Sequence, residues 1–299
     1  MKTSAASEDQ RALVQLTTPC GQAGSGRLRY SAAMHFNRKG LLSDAALEVY
    51  RTCSPYDAED PADLLQARGL QREIPTAPDL PGDLAIRLLV EETERYFAGL
   101  NGPGVAEMRA GLSRWQSGPV TPAHSPANAV IEEWLPMALD QLRQTHPALA
   151  RAIELAKPHL HWITFDGYPV DLVGAEFAKG HAFASVFGAD PGTTIPADDW
   201  DMGLFLIPPH VLYRDHKHQA PELYAPLTGP HGWRFGADQP LTILPAHHPV
   251  WNDPFVPHLT KVGPVPFLCL YCWTRDVNAG AEIVPANDWA KLEKLRLEA

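Results

Sequence analysis

From residue 158 onward the chain consists of short apolar runs that are separated by Gly, Pro, Asp and Asn. Apolar runs of this length, bounded by turn-forming residues, are typical of strands in an all-β domain. The runs cover residues 162–165, 182–187, 202–207, 210–218, 222–227, 232–235, 241–244 and 265–273. Strands of this number and spacing predict a jelly roll or barrel, in which ligands bind on inward faces and substrate enters at the mouth.

The part of the chain before residue 158 has the apolar spacing of amphipathic helices instead. Helices are predicted over residues 45–50, 84–100, 105–115, 126–145 and 146–157. Ser43 and Asp44 supply an N-cap signal for the first helix, and Gly104 precedes the third. Pro136 is expected to interrupt the fourth, because proline removes a helical hydrogen bond. The predicted fold class is therefore α+β, with a helical region before a β-barrel.

Composition divides the chain further. The predicted segments are a partly disordered N-terminal segment at 1–40, a helical accessory region at 41–157, a β-barrel metal domain at 158–280 and a C-terminal helix at 281–299. The first segment is rich in Ser, Gly and Thr, which favours disorder. In the last segment, Asn287 or Asp288 is the expected helix cap.

The most informative motif places metal-type ligands at alternating positions: His216, His218, Glu222 and Tyr224. Side chains two residues apart on a strand point to the same face, so His216 and His218 can hold one ion. Residues 219–221 have the composition of a bend, after which Glu222 and Tyr224 again share a face. Two imidazoles and a carboxylate suit one divalent transition metal, namely Zn, Fe, Mn, Co or Ni, and leave positions open for water or substrate.

Charge and composition exclude several kinds of partner. The formal net charge of -10, without any run of Lys or Arg, argues against binding to nucleic acid or to an anionic membrane. No apolar stretch approaches the roughly 18 residues of a membrane span, and the N-terminus has no signal-peptide core. A cytoplasmic enzyme or binding protein is expected, acting on a small molecule.

The motif region also carries a family resemblance. The pattern from His216 to Gly229 is similar to the first cupin motif, and residues 256–258 are similar to the second, which supplies a further histidine. Residues 203–209, 220–224, 248–249, 256–258 and 270–276 together resemble the bacterial cupin-type dimethylsulfoniopropionate (DMSP) lyases and their lyase-like relatives. This resemblance extends over roughly residues 160–277 and implies a cupin β-barrel.

The resemblance implies a set of site residues. The metal ligands would be His216, His218, Glu222 and His258, although His247 or His248 could supply the fourth ligand instead of His258. The catalytic phenols would be Tyr224 and Tyr213. Because Tyr213 lies three residues before His216, simple strand parity directs it away from the ligands, and its role requires a twist or bulge.

The chemistry of such a site would be β-elimination. A metal-bound carboxylate acidifies the α carbon, and a tyrosine whose pKa the metal lowers removes the α proton, releasing dimethyl sulfide and acrylate. Four aromatic residues are candidates to hold the sulfonium over their faces: Trp233, Trp251, Tyr271 and Trp273. Each could equally be part of the barrel core.

Two other functions use the same features. An Fe(II)-dependent cupin dioxygenase would need the same three histidines and glutamate but not Tyr224. A non-catalytic cupin would bind a small carboxylate or a sugar, with the helical region as a docking module. For any of these, a homodimer is expected because cupins commonly associate.

Overall fold

A computed structural model gives the architecture, and it describes residues 5–70, 81–124, 126–165, 167, 169–237 and 239–298. The chain forms two compact units, one of residues 1–92 and 143–157 and the other of residues 93–142 and 158–299. The four-segment division made from composition stays a prediction. Across the described residues, no helix is both long enough and apolar enough to cross a membrane.

The described helices fall mostly in the first part of the chain. They are α1 (Ala5–Leu16), α2 (Ser25–Arg38), α3 (Asp44–Cys53), α4 (Pro61–Ala67), α5 (Gly82–Ala98), α6 (Val105–Trp115), α7 (Ala129–Arg143), α8 (Pro147–Ala156), α9 (Val170–Val173), α10 (Ala175–Gly180) and α11 (Trp289–Lys294). The N-cap signal before α3 is confirmed, since the side chain of Ser43 accepts a hydrogen bond from the Ala46 amide at 3.2 Å.

The segment for which composition predicted partial disorder contains α1 and α2. Apolar side chains at helical spacing explain the difference, because Leu13, Leu16 and Phe36 are buried in the core of the first unit. Burial of these side chains stabilises both helices in spite of the surrounding Ser, Gly and Thr.

The predicted interruption at Pro136 is wrong, because α7 continues through this residue. Pro136 lies on the exposed side of the helix, where Glu132, four residues earlier, is also exposed, so water can satisfy the carbonyl that loses its amide partner. The opposite side buries Ile131, Leu135 and Leu139, whose packing holds the two halves together.

The described strands form two sheets. They are β1 (Ala182–Gly188), β2 (Ile195–Pro196), β3 (Asp201–Ile207), β4 (Leu212–Lys217), β5 (Glu222–Pro226), β6 (His231–Phe235), β7 (Thr242–Leu244), β8 (Val250–Asn252), β9 (His258–Lys261), β10 (Phe267–Trp273) and β11 (Glu282–Ile283). Sheet I has the order β2-β1-β3-β10-β5-β8, and sheet II has the order β11-β4-β9-β6-β7. Helices before a two-sheet jelly roll confirm the α+β prediction.

The two sheets share one apolar interior. Sheet I contributes Phe205, Tyr224 and Phe267 to this cluster, and sheet II contributes Tyr213 and Trp233. Because side chains alternate along a strand, residues two apart enter the interior together. The alternation of side chains along the strands therefore places the histidine and glutamate side chains of the motif between the sheets.

Some strand predictions differ from the structure. Residues 162–165 make a single bridge, between Ile163 and Phe183, rather than a strand. The segments of β2, β8, β9 and β11 were not predicted, because all four are short and the last three mix polar with apolar residues. The closing helix is also shorter than expected: α11 has Asp288 at its N-cap position but no side-chain cap bond, because this carboxylate accepts a hydrogen bond from Arg234.

A bulge in β4 is the local feature that shapes the site. In the pairing with β9, Tyr213 lies opposite Thr260 and His216 lies opposite His258, so β4 has one extra residue between the two pairs. Asp215 occupies this bulge with a fully buried side chain. Its carboxylate accepts hydrogen bonds from Arg234 Nε at 3.1 Å and from Trp289 Nε1 at 2.7 Å.

Replacement of Asp215 by alanine is expected to lower the free energy of unfolding by about 3–5 kcal/mol, because it leaves the buried Arg234 guanidinium without its main partner. Urea unfolding measures the change. Glu282→Gln is the matched control. It breaks an exposed ion pair with Lys217, which lies on the same strand as Asp215, and it should lower the free energy of unfolding by less than about 1 kcal/mol. Equal effects of the two substitutions would contradict a structural role for the buried pair.

Candidate metal centre

Four side chains converge between the sheets: His216, His218, Glu222 and His258. All four are buried, and one potential ligand atom from each lies within 4.8 Å of the others. His216 and His258 face each other across the β4–β9 pair of sheet II, His218 follows the end of β4, and Glu222 begins β5 in sheet I. The strand parity predicted from the sequence thus brings the ligand-type groups together.

Backbone carbonyls orient all three imidazoles. Nδ1 of His216 lies 2.9 Å from the Arg214 carbonyl, Nδ1 of His218 lies 2.7 Å from the Ala220 carbonyl, and Nδ1 of His258 lies 3.0 Å from the Val256 carbonyl. A carbonyl can only accept, so we assign the proton of each neutral ring to Nδ1. The lone pair of each Nε2 is then free for a metal.

The carboxylate of Glu222 is held at both oxygens. Oε2 accepts a hydrogen bond from Asn252 Nδ2 at 2.8 Å, and Oε1 accepts one from Trp273 Nε1 at 2.7 Å. Oε2 also lies 3.3 Å from His218 Nε2 and 3.5 Å from His258 Nε2. These two long contacts are at the outer limit of hydrogen bonding, which is expected where an ion rather than a proton joins the groups.

The protonation equilibria agree with a ligand set. Burial, together with the neighbouring His258 and His218, holds the pKa of His216 well below its usual value, so this ring is neutral. Burial opposes ionisation of Glu222, but His218 and His258 outweigh it and hold the Glu222 pKa well below its usual range. Burial also opposes charge on His218, yet the Glu222 carboxylate raises the pKa of that ring.

The donor set fits a divalent transition metal. Three imidazole nitrogens and one carboxylate oxygen suit Zn, Fe, Mn, Co and Ni alike, so the set does not select one of them. Nε2 of His258 is buried and makes no normal hydrogen bond, a costly arrangement unless the nitrogen has another partner. A metal ion would supply that partner.

The structure distinguishes the three histidines considered for the fourth ligand. His258 lies in the cluster. His247 lies elsewhere, with Nδ1 3.2 Å from the hydroxyl of Tyr96, and His248 is exposed. Only His258 shares the strand pair of His216, and this placement brings its ring centroid within 4.1 Å of the His216 ring.

The bulge in β4 turns Tyr213 toward the site. Its ring stacks on His216 with a centroid distance of 3.9 Å and on Phe177 with a centroid distance of 4.0 Å. Simple parity would have placed Tyr213 on the opposite face from His216, and the extra residue reverses this. The side chain therefore belongs to the apolar interior next to the cluster.

Tyr224 lies two residues after Glu222 on the same face of β5. Its phenol is buried on the same side of the strand as the Glu222 carboxylate. Burial raises the pKa of Tyr224 well above its usual value, and the negative charge of Glu222 adds to this effect. A bound metal was predicted from the sequence to lower the pKa of this phenol. Without metal, the pKa is raised instead.

The four candidate aromatic residues occupy different places. The ring of Trp273 lies 4.6 Å from the ring of His218, and its Nε1 binds Glu222. Tyr271 is paired with Tyr224 across β10 and β5. Trp233 is fully buried with its ring centroid 5.8 Å from that of Tyr224, whereas Trp251 is half-buried with its Nε1 bound to Asp253.

Sequence reasoning missed Asn252 as a partner of Glu222. Asn252 lies directly opposite Glu222 in the β5–β8 pair, but the strand is only three residues long and gives little periodicity. It also gave Asp215 and Asp201 no firm role, because isolated aspartates are usually solvated. The sequence offers one signal for a role of Asn252, because this polar residue directly follows the apolar pair Val250 and Trp251.

Comparisons with known proteins agree with this geometry. The family model for dimethylsulfoniopropionate lyase matches residues 109–269, which is more than half of the chain. A solved chain titled as one of the DMSP lyases RdDddP and RnDddQII is 22% identical, with a TM-score of 0.54, covering 69% of this chain and 100% of that one. DMSP lyase DddQ from Ruegeria pomeroyi DSS-3 is 23% identical, with a TM-score of 0.50 and coverages of 68% and 97%.

The two structural likenesses support the fold, and the comparison with curated proteins gave no significant match. The family match covers β1 to β9 and the first three residues of β10, and thus includes all four side chains of the cluster. By this match, the chain belongs to the dimethylsulfoniopropionate lyase family.

Proposed function

We propose that this protein is a metal-dependent carbon–sulfur lyase that cleaves dimethylsulfoniopropionate to dimethyl sulfide and acrylate. The observation that carries the proposal is the buried cluster of three histidines and one glutamate, with a buried phenol two residues after the glutamate on the same strand, in a chain of this lyase family. His216, His218, Glu222 and His258 would hold one divalent transition metal. The substrate is a small carboxylate with a sulfonium on its β carbon.

When bound, the cation would act as a Lewis acid on the substrate carboxylate and would offset the charge of Glu222 beside Tyr224, favouring the phenolate. The protein's own groups then perform the elimination. Oη of Tyr224 accepts the proton from the α carbon, and the released electron pair forms the double bond between the α and β carbons. The bond from the β carbon to sulfur breaks with its electron pair on sulfur, which leaves as neutral dimethyl sulfide. Tyr224 afterwards returns its proton to water.

Tyr213 is proposed as the second phenol of the site. Its ring is held between Phe177 and His216 by stacking on both faces. Contacts of this kind restrict the orientation of the ring and keep the His216 imidazole aligned with the cluster. The bulge and its Asp215–Arg234 pair therefore contribute to the site through the position of Tyr213.

Trp273 and Tyr271 are proposed to form the wall that contacts the substrate. Both lie on the interior face of β10, and Trp273 touches two members of the cluster. Aromatic faces attract soft cations such as a sulfonium. Trp233 contributes from the core beside Tyr224. Trp251 is not included, because it pairs with Leu223 and so lies on the opposite face of the sheet from Glu222 and Tyr224.

The function is tested by the products formed without oxygen. Metal-loaded protein is incubated anaerobically with dimethylsulfoniopropionate, dimethyl sulfide is measured by headspace gas chromatography, and acrylate is measured by proton NMR. A lyase gives the two products in equal amounts, because the reaction consumes no co-substrate. Turnover that requires oxygen would support the dioxygenase instead, and saturable binding of the substrate without turnover would support a binding protein.

A further inference from the structure

Outside the cluster, one group of polar side chains lies on the interior face of sheet I: Ser185, Asp201 and Tyr271. The Ser185 hydroxyl lies 2.7 Å from the Tyr271 hydroxyl and 3.3 Å from Asp201 Oδ2, and Tyr271 donates to Asp201 Oδ1 at 3.3 Å. The three residues come from the adjacent strands β1, β3 and β10. We call them the Asp201 cluster.

Strand register places the Asp201 cluster beside the metal centre. Asp201 pairs with Trp273 in β3 and β10, and Trp273 pairs with Glu222 in β10 and β5. Asp201 is thus two strands from Glu222 in the same row of the sheet, a separation of roughly 10 Å between their α carbons. The indole of Trp273 lies between them and donates to Glu222.

The interior face of the sheet is open at this end. Ser185, Asp201 and Trp273 are half-buried, whereas the neighbouring residues on the opposite face, Ala184 and Met202, are fully buried. Further along the same strands, Phe205 and Phe267 are buried as well. A ligand that enters the barrel from this end would meet Asp201 before it meets the core.

Asp201 has no cationic partner among the residues that the structure describes, since its contacts are with two hydroxyls. Burial raises the pKa of Asp201 to about 7, although the hydrogen bonds from Ser185 and Tyr271 oppose this rise. A positive charge that comes close to this carboxyl group favours its ionised form. Two hydroxyl donors also leave acceptor capacity on both oxygens.

The geometry points to Asp201 as the counter-ion for the substrate's cationic end, so that the site selects short carboxylates with a positive charge on the β substituent. This inference rests on the proposed function for the identity of the cation. A three-carbon acid extends roughly 4 Å from its carboxyl carbon to the β substituent, as bond lengths near 1.5 Å dictate. A molecule bound by its carboxylate beside Glu222, with its chain along the row, would bring its cation toward Asp201.

A sulfonium or quaternary ammonium cannot donate hydrogen bonds, so the surroundings must stabilise its charge without a donor–acceptor match. Asp201 supplies the opposite charge, and the rings of Trp273 and Tyr271 supply aromatic surface on the adjacent strand. Charge and shape thus make separate contributions to the affinity. Two ligands that have the same shape but differ in the cationic charge can distinguish these contributions.

The test uses 3-(trimethylammonio)propanoate, which cannot be cleaved to a sulfide, and its isostere 4,4-dimethylpentanoate, which has carbon in place of the cationic nitrogen. Their affinities for the metal-loaded protein are measured by calorimetry at a pH above the pKa of Asp201. Wild-type protein is expected to bind the trimethylammonio acid about tenfold more tightly, and Asp201→Asn is expected to remove this preference while binding 4,4-dimethylpentanoate as before. Asp190→Asn, which removes an exposed carboxylate nearby, should keep the preference.

Equal binding of the two acids by wild-type protein would overturn the inference, and this comparison requires no variant to fold. An unchanged preference in Asp201→Asn would overturn it as well, and so would an equal loss of affinity for both acids, which indicates a purely structural role. Because the readout is a ratio of affinities, it stands apart from dimethyl sulfide release. Absence of gas would refute the proposed reaction and leave the selectivity measurement valid.

Discussion

Replacement of Tyr224 by phenylalanine is expected to lower kcat for dimethyl sulfide release by about 10²- to 10⁴-fold, the usual contribution of a positioned general base. The substitution removes only the hydroxyl and retains the ring that packs against Phe205 and Trp233. Metal content, measured by mass spectrometry of the purified protein, should therefore be the same as in the wild type.

Tyr96→Phe is the matched control for this prediction. Tyr96 is also buried in the second unit, but its hydroxyl lies 3.2 Å from His247 and away from the cluster. Its kcat should not change. If Tyr224→Phe retained full activity, the proton would have to be removed by another group, and the assignment of Tyr224 would be wrong.

Replacement of His258 by alanine is expected to reduce metal affinity by at least about 100-fold and to abolish turnover. Loss of residues that merely orient metal ligands already costs 10- to 100-fold, and His258 would contribute a ligand atom directly. The substitution removes the buried Nε2 that has no normal hydrogen-bond partner, so the cause of the loss is the missing donor. Competition with a chromophoric chelator measures the affinity.

His248→Ala separates this loss from the general effect of removing a histidine. His248 is exposed and precedes His258 by ten residues, and it was the alternative ligand by sequence. Its loss should leave metal binding and turnover unchanged. A metal-loaded, active His258→Ala protein would contradict the ligand set, and loss of metal in His248→Ala would do so too.

The sequence predicted the ligand cluster because the relevant information is local. Spacing of two along a strand and a bend at residues 219–221 are enough to place His216, His218 and Glu222 on one face. The choice of His258 over His247 and His248 came from family resemblance, and the structure agrees because β9 pairs with β4. Helix α3, with Ser43 as its cap, was equally accessible from local signals.

Features that depend on pairing between distant strands were not accessible in this way. Tyr213 reaches the interior through a bulge, and the buried Asp215–Arg234 pair that accompanies the bulge joins β4 to β6. Asn252 and Asp201 gain their significance from their register with Glu222 and Trp273. Spacing within one segment contains no information on such register, which is set by the packing of whole sheets.

Two expectations from the sequence stay predictions. Association into a homodimer and a cytoplasmic location rest on general properties of cupins and on composition. The metal also stays open among Zn, Fe, Mn, Co and Ni, because three imidazoles and a carboxylate accept all of them.

The central claim is that the buried histidine–glutamate cluster holds the ion at which dimethylsulfoniopropionate is cleaved. The most direct test strips the protein of metal and measures dimethyl sulfide release while each candidate ion is titrated back. For at least one ion, the rate should rise in proportion to the metal added and reach a plateau at one equivalent per chain. A rate that does not depend on added metal, or a folded and fully loaded protein that releases no gas with any of the five ions, would contradict the account.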